Sequence, residues 1–284
     1  MTSRSTSLSG TTVAITGGAR GIGRATAQRF LAAGAHVVIG DLDLEFAQRT
    51  AGELTAARAG AGWVTAAELD VTDDASFTRF LDALPDLDVL VNNAGIMPTG
   101  AFADESPEMT DRILAINLRA VIVGSRLALN NFRVRGSGHI VNIASLVGEL
   151  AVPALATYSA SKAGVIHFTE SLELELAGTG IRATVILPSL IRTELSAGAK
   201  PAGWVGPLIT ADPADVAAAI VTAVAHRHTG RIAVPRHVGA LIKTLSALPG
   251  PARRALSGAA GLESAFADAD PAQREIYNRR IAKS

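Results

Sequence analysis

The chain of 284 residues contains no cysteine. Disulfide frameworks and thiolate chemistry are excluded, and the absence fits a reducing compartment. A surplus of one charge sign is also lacking, because 26 Lys+Arg balance 26 Asp+Glu. Nothing global attracts nucleic acid or an anionic membrane surface. The first ten residues are rich in Ser and Thr and lack the apolar core of a signal peptide. No uninterrupted apolar run reaches the length of a transmembrane helix. Internal repeats and low-complexity linkers are missing as well. His226-x-His228 has no carboxylate or further histidine beside it in a ligand pattern, so no metal site is expected. These absences predict a soluble, cytoplasmic protein with a short frayed N-terminal arm.

Apolar residues make up 48% of the chain, enough for a sizeable core. Short β-branched runs at residues 12–16, 36–40, 63–69, 89–92, 139–144, 182–187 and 231–234 alternate with Ala/Leu/Arg/Glu-rich segments of helical spacing. Continuous apolar strands alternating with helices predict an α/β protein, a doubly wound parallel sheet of about seven strands covered on both faces. Ligands of that architecture bind at the carboxyl ends of the strands. One domain is expected, with a core over residues 8–235 and a C-terminal extension over 236–284.

The first strand runs into Gly17-Gly18-Ala19-Arg20-Gly21-Ile22-Gly23. Glycines there let the backbone turn sharply and approach a pyrophosphate, and the following helix offers free N–H groups. The spacing Gly17-x-x-x-Gly21-x-Gly23 differs from the common G-x-G-x-x-G, and a tight turn without ligand would look similar. Asp41 ends the second strand about 20 residues further on, where an acidic group bonds ribose hydroxyls. A carboxylate repels a 2′-phosphate, so NAD is favoured over NADP. Two alternatives stay open: Asp41 caps the next helix, or Arg20 in the loop contacts a 2′-phosphate.

Tyr158 and Lys162 stand four apart at the start of a helical run, with Ser145 upstream. Such positions share a helix face. A neighbouring cation favours phenolate, and bringing a tyrosine from about 10 to about 7 needs roughly 4 kcal/mol. Tyr158 would then shuttle a proton to or from an alcohol or carbonyl.

Taken in order, these residues resemble the short-chain dehydrogenase/reductase family in its short, single-domain branch. Thr16-Gly17-Gly18-Ala19-Arg20-Gly21-Ile22-Gly23 is similar to its cofactor loop, and Asn92-Asn93-Ala94-Gly95 to its motif after the fourth strand. Asp70 in Leu69-Asp70-Val71 resembles the aspartate that contacts adenine. Asn117, Ser145, Tyr158 and Lys162 match the family's catalytic set. The resemblance spans roughly residues 8–234. It implies a Rossmann fold that binds NAD through Gly17, Arg20, Gly21, Ile22, Gly23, Asp41, Asp70, Val71, Asn93, Ala94 and Gly95. Tyr158, Lys162, Pro188, Ile191 and Thr193 would hold the nicotinamide side. It further implies that Ser145 stabilises charge on the reacting oxygen and that Asn117 positions a water leading from Lys162 to solvent. Homodimers or tetramers through the helices carrying Asn117 and Tyr158 are implied too. Where the family has Pro-Gly after the sixth strand, this chain has Pro188-Ser189, which would be strained if a positive φ were needed.

The implied reaction is NAD-dependent hydride exchange with a secondary alcohol or ketone. An NADPH-preferring carbonyl or ketoacyl reductase is the alternative among enzymes; a non-catalytic dinucleotide-binding regulator is the alternative from another class. Substrate contacts are expected near 145–156 (Leu146, Val147, Leu150, Val152, Leu155) and 194–207 (Leu195, Trp204, Val205). Their apolar character suggests a lipophilic substrate or, equally, packing against helices or a second subunit. The run at 238–248 has helical spacing and is stopped by Pro249-Gly250-Pro251, with Lys243, Arg253 and Arg254 on or beside it. It reads as a helix on its own or a partner subunit, a lid, or a peripheral membrane contact. No function is assigned to the charged tail 265–284.

Overall fold

The computed structural model describes residues 8–57, 62–199, 206–252, 258, 266 and 271–283. The expected Trp204, Val205, Arg253 and Arg254 lie outside the described residues. Strands β1 (Thr12–Thr16), β2 (His36–Asp41), β3 (Val64–Glu68), β4 (Leu87–Asn92), β5 (Gly138–Ile143) and β6 (Ile181–Pro188) join a last strand at Gly230–Val234. All seven predicted strands are present, with ends shifted by a residue or two. A short parallel pair, β7 (Leu190–Ile191) and β8 (Thr210–Ala211), precedes that last strand, which is therefore β9. The main sheet is wholly parallel in the order β3-β2-β1-β4-β5-β6-β9.

Side chains alternate across a strand, so each strand feeds two cores. Val13, Ile15, Val37, Ile39, Val89 and Val91 meet Phe30 and Leu31 of α1 (Gly21–Ala32), Leu54 of α2 (Leu44–Ala56) and Ile220 of α8 (Pro213–Ala225). On the other face, Ala14, Leu90 and Ile140 meet Phe77 of α3 (Asp74–Asp82), Phe132 of α5 (Ala120–Arg135) and Leu172 of α6 (Ala156–Glu175). Strand order reverses between β1 and β4, which opens a crevice at their carboxyl ends.

Helix α4 (Pro107–Leu114) passes through a π-helical turn, Ala115–Arg119, into α5. By length and composition alone, the continuous helix Pro107–Arg135 could cross a membrane. Its buried residues, among them Ile113, Val121, Ala128 and Phe132, instead pack within the protein's cores. Beyond β9 come α9 (Arg236–Ser246) and, at the C-terminal end, α10 (Pro271–Lys283); α7 is a single turn at Gly206–Ile209.

His139 lies buried on β5 with Nε2 2.8 Å from Thr184 Oγ1. Thr184 donates its own proton to His228 O, so Nε2 carries the ring proton and donates. Burial, then the nearby Arg227 and Arg182, push this imidazole down to about 4. The unfolded chain therefore binds more protons between about pH 6.5 and 4, and stability falls as pH drops through that window. His139→Gln should flatten the acid side of a thermal-stability profile there. Equal slopes for both proteins would remove the histidine as its cause.

Candidate active site

Six strand ends, those of β1 to β6, deliver the predicted motifs to one cleft of about 1240 Å3. Thr16 closes β1, and its hydroxyl accepts the N–H groups of Asn93 and Ala94, each at 3.0 Å. Asn93 Nδ2 returns bonds to Thr16 O (2.9 Å) and Gly17 O (3.0 Å), which ties the two walls of the crevice together. Gly17 and Gly21 have φ of 62° and 49°, where a side chain is strained. A Cβ on Gly17 would stand 2.9 Å from Ala94 Cα, and one on Gly23 would stand 2.3 Å from Gly17 O. Gly23 thus serves close helix–strand packing and does not line the cleft, whereas Gly17, Arg20, Gly21 and Ile22 do. Among the described residues helix α1 has no side-chain cap hydrogen bond and no acidic residue in its first turn, and its first residues, Gly21 and Ile22, line the cleft.

Asp41 lines the cleft and does not cap α2. That cap is Asp43, whose carboxylate accepts from Phe46 N–H at 3.0 Å. Asp41 accepts from Ala19 N–H (3.2 Å) and Asp43 N–H (3.3 Å). Burial raises its carboxyl, and those two amides and the Arg20 guanidinium partly offset this. Arg20 sits 3.4 Å above the Phe46 ring centre and 3.4 Å from Asp43 Oδ2. Asp70 accepts from Thr72 N–H and hydroxyl through Oδ1, and Val71, Ala94 and Gly95 complete this end of the wall.

A buried polar ladder joins the sheet to α6. Asn92 Nδ2 donates to Asn142 Oδ1 (2.9 Å), and Asn142 Nδ2 donates to Thr169 Oγ1 (2.9 Å). Helix α6 is thereby fixed against the sheet, with Tyr158 and Lys162 on its buried face. Lys162 Nζ donates to Ile143 O at 2.9 Å and lies 5.7 Å from the Tyr158 ring centre. Ser145 Oγ bonds weakly to Pro188 O, at 3.4 Å. Pro188, Ile191 and Thr193 form the opposite wall.

The expected lowering of the Tyr158 phenol by Lys162 is not what this geometry gives. Burial raises Tyr158 above the usual phenol range; nearby Tyr277 adds to the rise and the Ser145 hydroxyl partly offsets it. The same burial lowers Lys162 to about 8. Ser189 is not strained, because its φ is not positive. Its N–H donates to Val234 O at 2.9 Å and its hydroxyl donates to Ile209 O.

Asn117 lies in the π-turn, wholly buried behind the cleft. Its amide accepts from Ile96 N–H (2.9 Å) and donates to Ile96 O (2.8 Å) and Ser161 Oγ (3.4 Å). Both donors are therefore engaged, and one lone pair of Oδ1 remains.

The outer part of the cleft is apolar. Leu146, Val147, Leu150, Val152 and Leu195 line it as expected; Leu155 lies beneath Tyr158. The C-terminal extension supplies more of the wall than the sequence suggested: Val238, Leu241, Ile242 and Leu245 from α9, then Phe266, Arg280 and Ile281.

A sequence model described as short chain dehydrogenase matches residues 11–202. The chain belongs to the short-chain dehydrogenase family. This short-chain dehydrogenase is accordingly an oxidoreductase acting on CH–OH groups. It is 37% identical over 198 residues to a 2,5-dichloro-2,5-cyclohexadiene-1,4-diol dehydrogenase of Sphingobium indicum, covering 68% of this chain and 78% of that one. It is 35% identical over 189 residues to a 2-(R)-hydroxypropyl-CoM dehydrogenase of Xanthobacter autotrophicus, covering 64% and 75%. A short-chain dehydrogenase/reductase of Burkholderia phymatum solved with NAD superposes with a TM-score of 0.72 at 26% identity, over 83% of this chain and 92% of that one. A Beutenbergia cavernae protein solved with NADP at low occupancy gives 0.70 at 29% identity, over 81% and 96%. Structural neighbours thus bind one or other nicotinamide dinucleotide.

Proposed function

We propose that this short-chain dehydrogenase uses NAD to interconvert secondary alcohols and ketones that carry a bulky apolar group. The observation that carries the reading is the placement of Ser145, Tyr158 and Lys162 in one cleft between a glycine cradle and an apolar chamber. The cradle fits a dinucleotide: two positive-φ glycines, an uncapped helix N-terminus and the Asp41 carboxylate all face the same space. NAD, when bound, takes or returns the hydride.

The chain's own groups do the rest. Tyr158 gives its proton to the developing alkoxide in reduction and removes it in oxidation. Ser145 donates to the same oxygen as charge builds there. Lys162 holds the ribose beside nicotinamide and keeps positive charge near the phenol. Asn117 fixes the backbone of Ile96 and offers its remaining lone pair to a water on the path from Lys162. Gly17, Arg20, Gly21 and Ile22 bind the phosphates, with Gly23 packing the cradle. Asp41 binds the adenosine ribose, and Asp70, Val71, Asn93, Ala94 and Gly95 hold adenine and its ribose. Pro188, Ile191 and Thr193 hold the carboxamide.

Residues 8–235 act as one Rossmann-fold unit, and the described part of the extension completes its substrate chamber through α9, Phe266 and α10. Exposed Leu114, Val134 and Leu174 on α4, α5 and α6 support assembly into a homo-oligomer through those helices.

The test is turnover with NAD and NADP across secondary alcohols of increasing apolar size, with light scattering on the same preparations. NAD-dependent rates that rise with apolar size support the reading; equal rates across the series remove the lipophilic substrate. Asp41→Ala should lower the NAD-to-NADP ratio of kcat/KM by about 10- to 100-fold, the size of a lost charge-assisted hydrogen bond. An unchanged ratio would pass cofactor choice to Arg20.

A further inference from the structure

The C-terminal helix α10 begins well beyond the family match at residues 11–202, yet its side chains reach the catalytic tyrosine's surroundings. Arg274 is 2% exposed. Its Nη2 donates to Met97 O at 2.6 Å, and its Nη1 donates to Leu195 O (3.1 Å) and Ala197 O (3.2 Å). Met97 N–H in turn donates to Tyr277 Oη at 2.6 Å. One buried guanidinium thereby spans the two lips of the cleft, the segment after β4 and the segment after β7. Arg280 adds an ion pair to Glu194 on the second lip.

The placement relates directly to the reaction site. Ile96 has both backbone polar groups held by Asn117, and the next residue, Met97, has both held by α10. Met97 packs on Tyr158 in one cluster with Leu155, and Val147, Leu195 and Phe266 lie against it. The second lip also carries Thr193, whose methyl would lie 3.3 Å from a Cβ on Gly21. A buried guanidinium is a costly way to fasten a helix, since apolar side chains of similar volume hold one at least as well. Among the described residues Arg274 Nε finds no partner, which adds to that cost. Bidirectional reach to carbonyls on both lips is what a planar fork of donors offers and an apolar residue does not.

We propose that α10 is a strap that fixes the separation of the two lips, and that Arg274 and Tyr277 are positioning residues selecting the substrate's apolar group. That group lies between Met97 and Leu195, against Phe266. The proposal rests on the alcohol–ketone reading above. Neither residue touches the reacting atoms; both act through Met97 and the 193–199 segment.

The experiment compares Arg274→Ala, Arg274→Lys and Tyr277→Phe with the unsubstituted protein, at a temperature where circular dichroism shows all four folded. In Arg274→Ala the kcat/KM ratio of a bulky over a small secondary alcohol should fall at least about 10-fold, the loss expected for buried bonds from a charged donor. Calorimetric NAD affinity should fall by less than the ratio does, because the strap reaches the dinucleotide only through Thr193 on the second lip. Arg274→Lys should recover part of the ratio, and Tyr277→Phe should lower it about threefold. An unchanged ratio, or equal losses on both alcohols, overturns the selection role. Hydrogen exchange gives a readout that needs no turnover: segments around Met97 and 193–199 should lose protection in Arg274→Ala. Unchanged protection overturns the strap. If the wild-type protein turns over no alcohol, the alcohol–ketone reading fails while the exchange experiment still decides on the strap.

Discussion

Replacing Tyr158 with phenylalanine is expected to lower turnover by about 10²–10⁴-fold, the range a positioned acid–base group supplies. Dinucleotide affinity should stay within about twofold, because only the hydroxyl is removed. The ring keeps its packing against Met97 and Leu155. The raised phenol adds a direction to this prediction. Burial holds Tyr158 protonated through the neutral range, with Ser145 only partly opposing. A neutral phenol can give a proton to an alkoxide but cannot accept one from an alcohol. Ketone reduction should therefore run well at neutral pH, and alcohol oxidation should climb as pH rises into the alkaline range. Steady-state rates in both directions from pH 6 to 10 would check this. Turnover retained in the phenylalanine protein would take the proton transfer away from Tyr158. Alcohol oxidation insensitive to pH would mean that the phenol is ionised in the working complex.

Much of this was legible in the sequence because the informative features are local. Strands β1, β2, β4 and β6 carry continuous apolar runs, and a parallel sheet buried on both faces requires that of its inner strands. The glycine turn was legible because a tight turn with positive φ leaves few choices but glycine at Gly17 and Gly21. Asp41 was legible from its distance along the chain; only the structure separated it from Asp43, which caps α2. The direction of the tyrosine shift was not legible, because spacing shows that Lys162 is near but not how dry the site is. The π-turn was hidden as well. One extra residue in a long helix leaves the apolar period nearly unchanged, yet it lies where Asn117 meets Ile96. Inserted turns of this kind are frequent at functional sites.

The tail's contacts were hidden for a different reason. Its composition is charged, and no function could be assigned from that. Yet Arg274, Tyr277 and Ile281 are buried at i, i+3 and i+7, which is one helical face. A pattern that counts only apolar residues misses a face whose first member is an arginine. The same blindness left Met97 unmarked, since its role lies in backbone groups that any residue would carry.

Lys162→Met should abolish most turnover and at the same time stabilise the fold at neutral pH. Lys162 is buried, donates to Ile143 O at 2.9 Å, and is lowered by burial to about 8. An unfolded lysine titrates near 10.5. Between these values the unfolded chain holds more protons than the folded one, so stability rises with pH across that window. Below pH 8 the full cost of a buried ammonium is present, up to about 3 kcal/mol for a shift of this size. Methionine has similar length and no charge, so it removes that cost while giving up one hydrogen bond of about 1 kcal/mol. The denaturation midpoint of Lys162→Met should exceed that of the parent protein at pH 7, and the two should converge as pH approaches 10.5. Turnover should fall by about 100-fold or more, because positive charge near Tyr158 is lost. A less stable variant at pH 7, or parallel pH profiles, would show that the ammonium is better solvated than its burial implies. Undiminished turnover would place the charge that assists Tyr158 elsewhere. The expected pairing of higher stability with lost activity marks a group kept for chemistry against the preference of the fold.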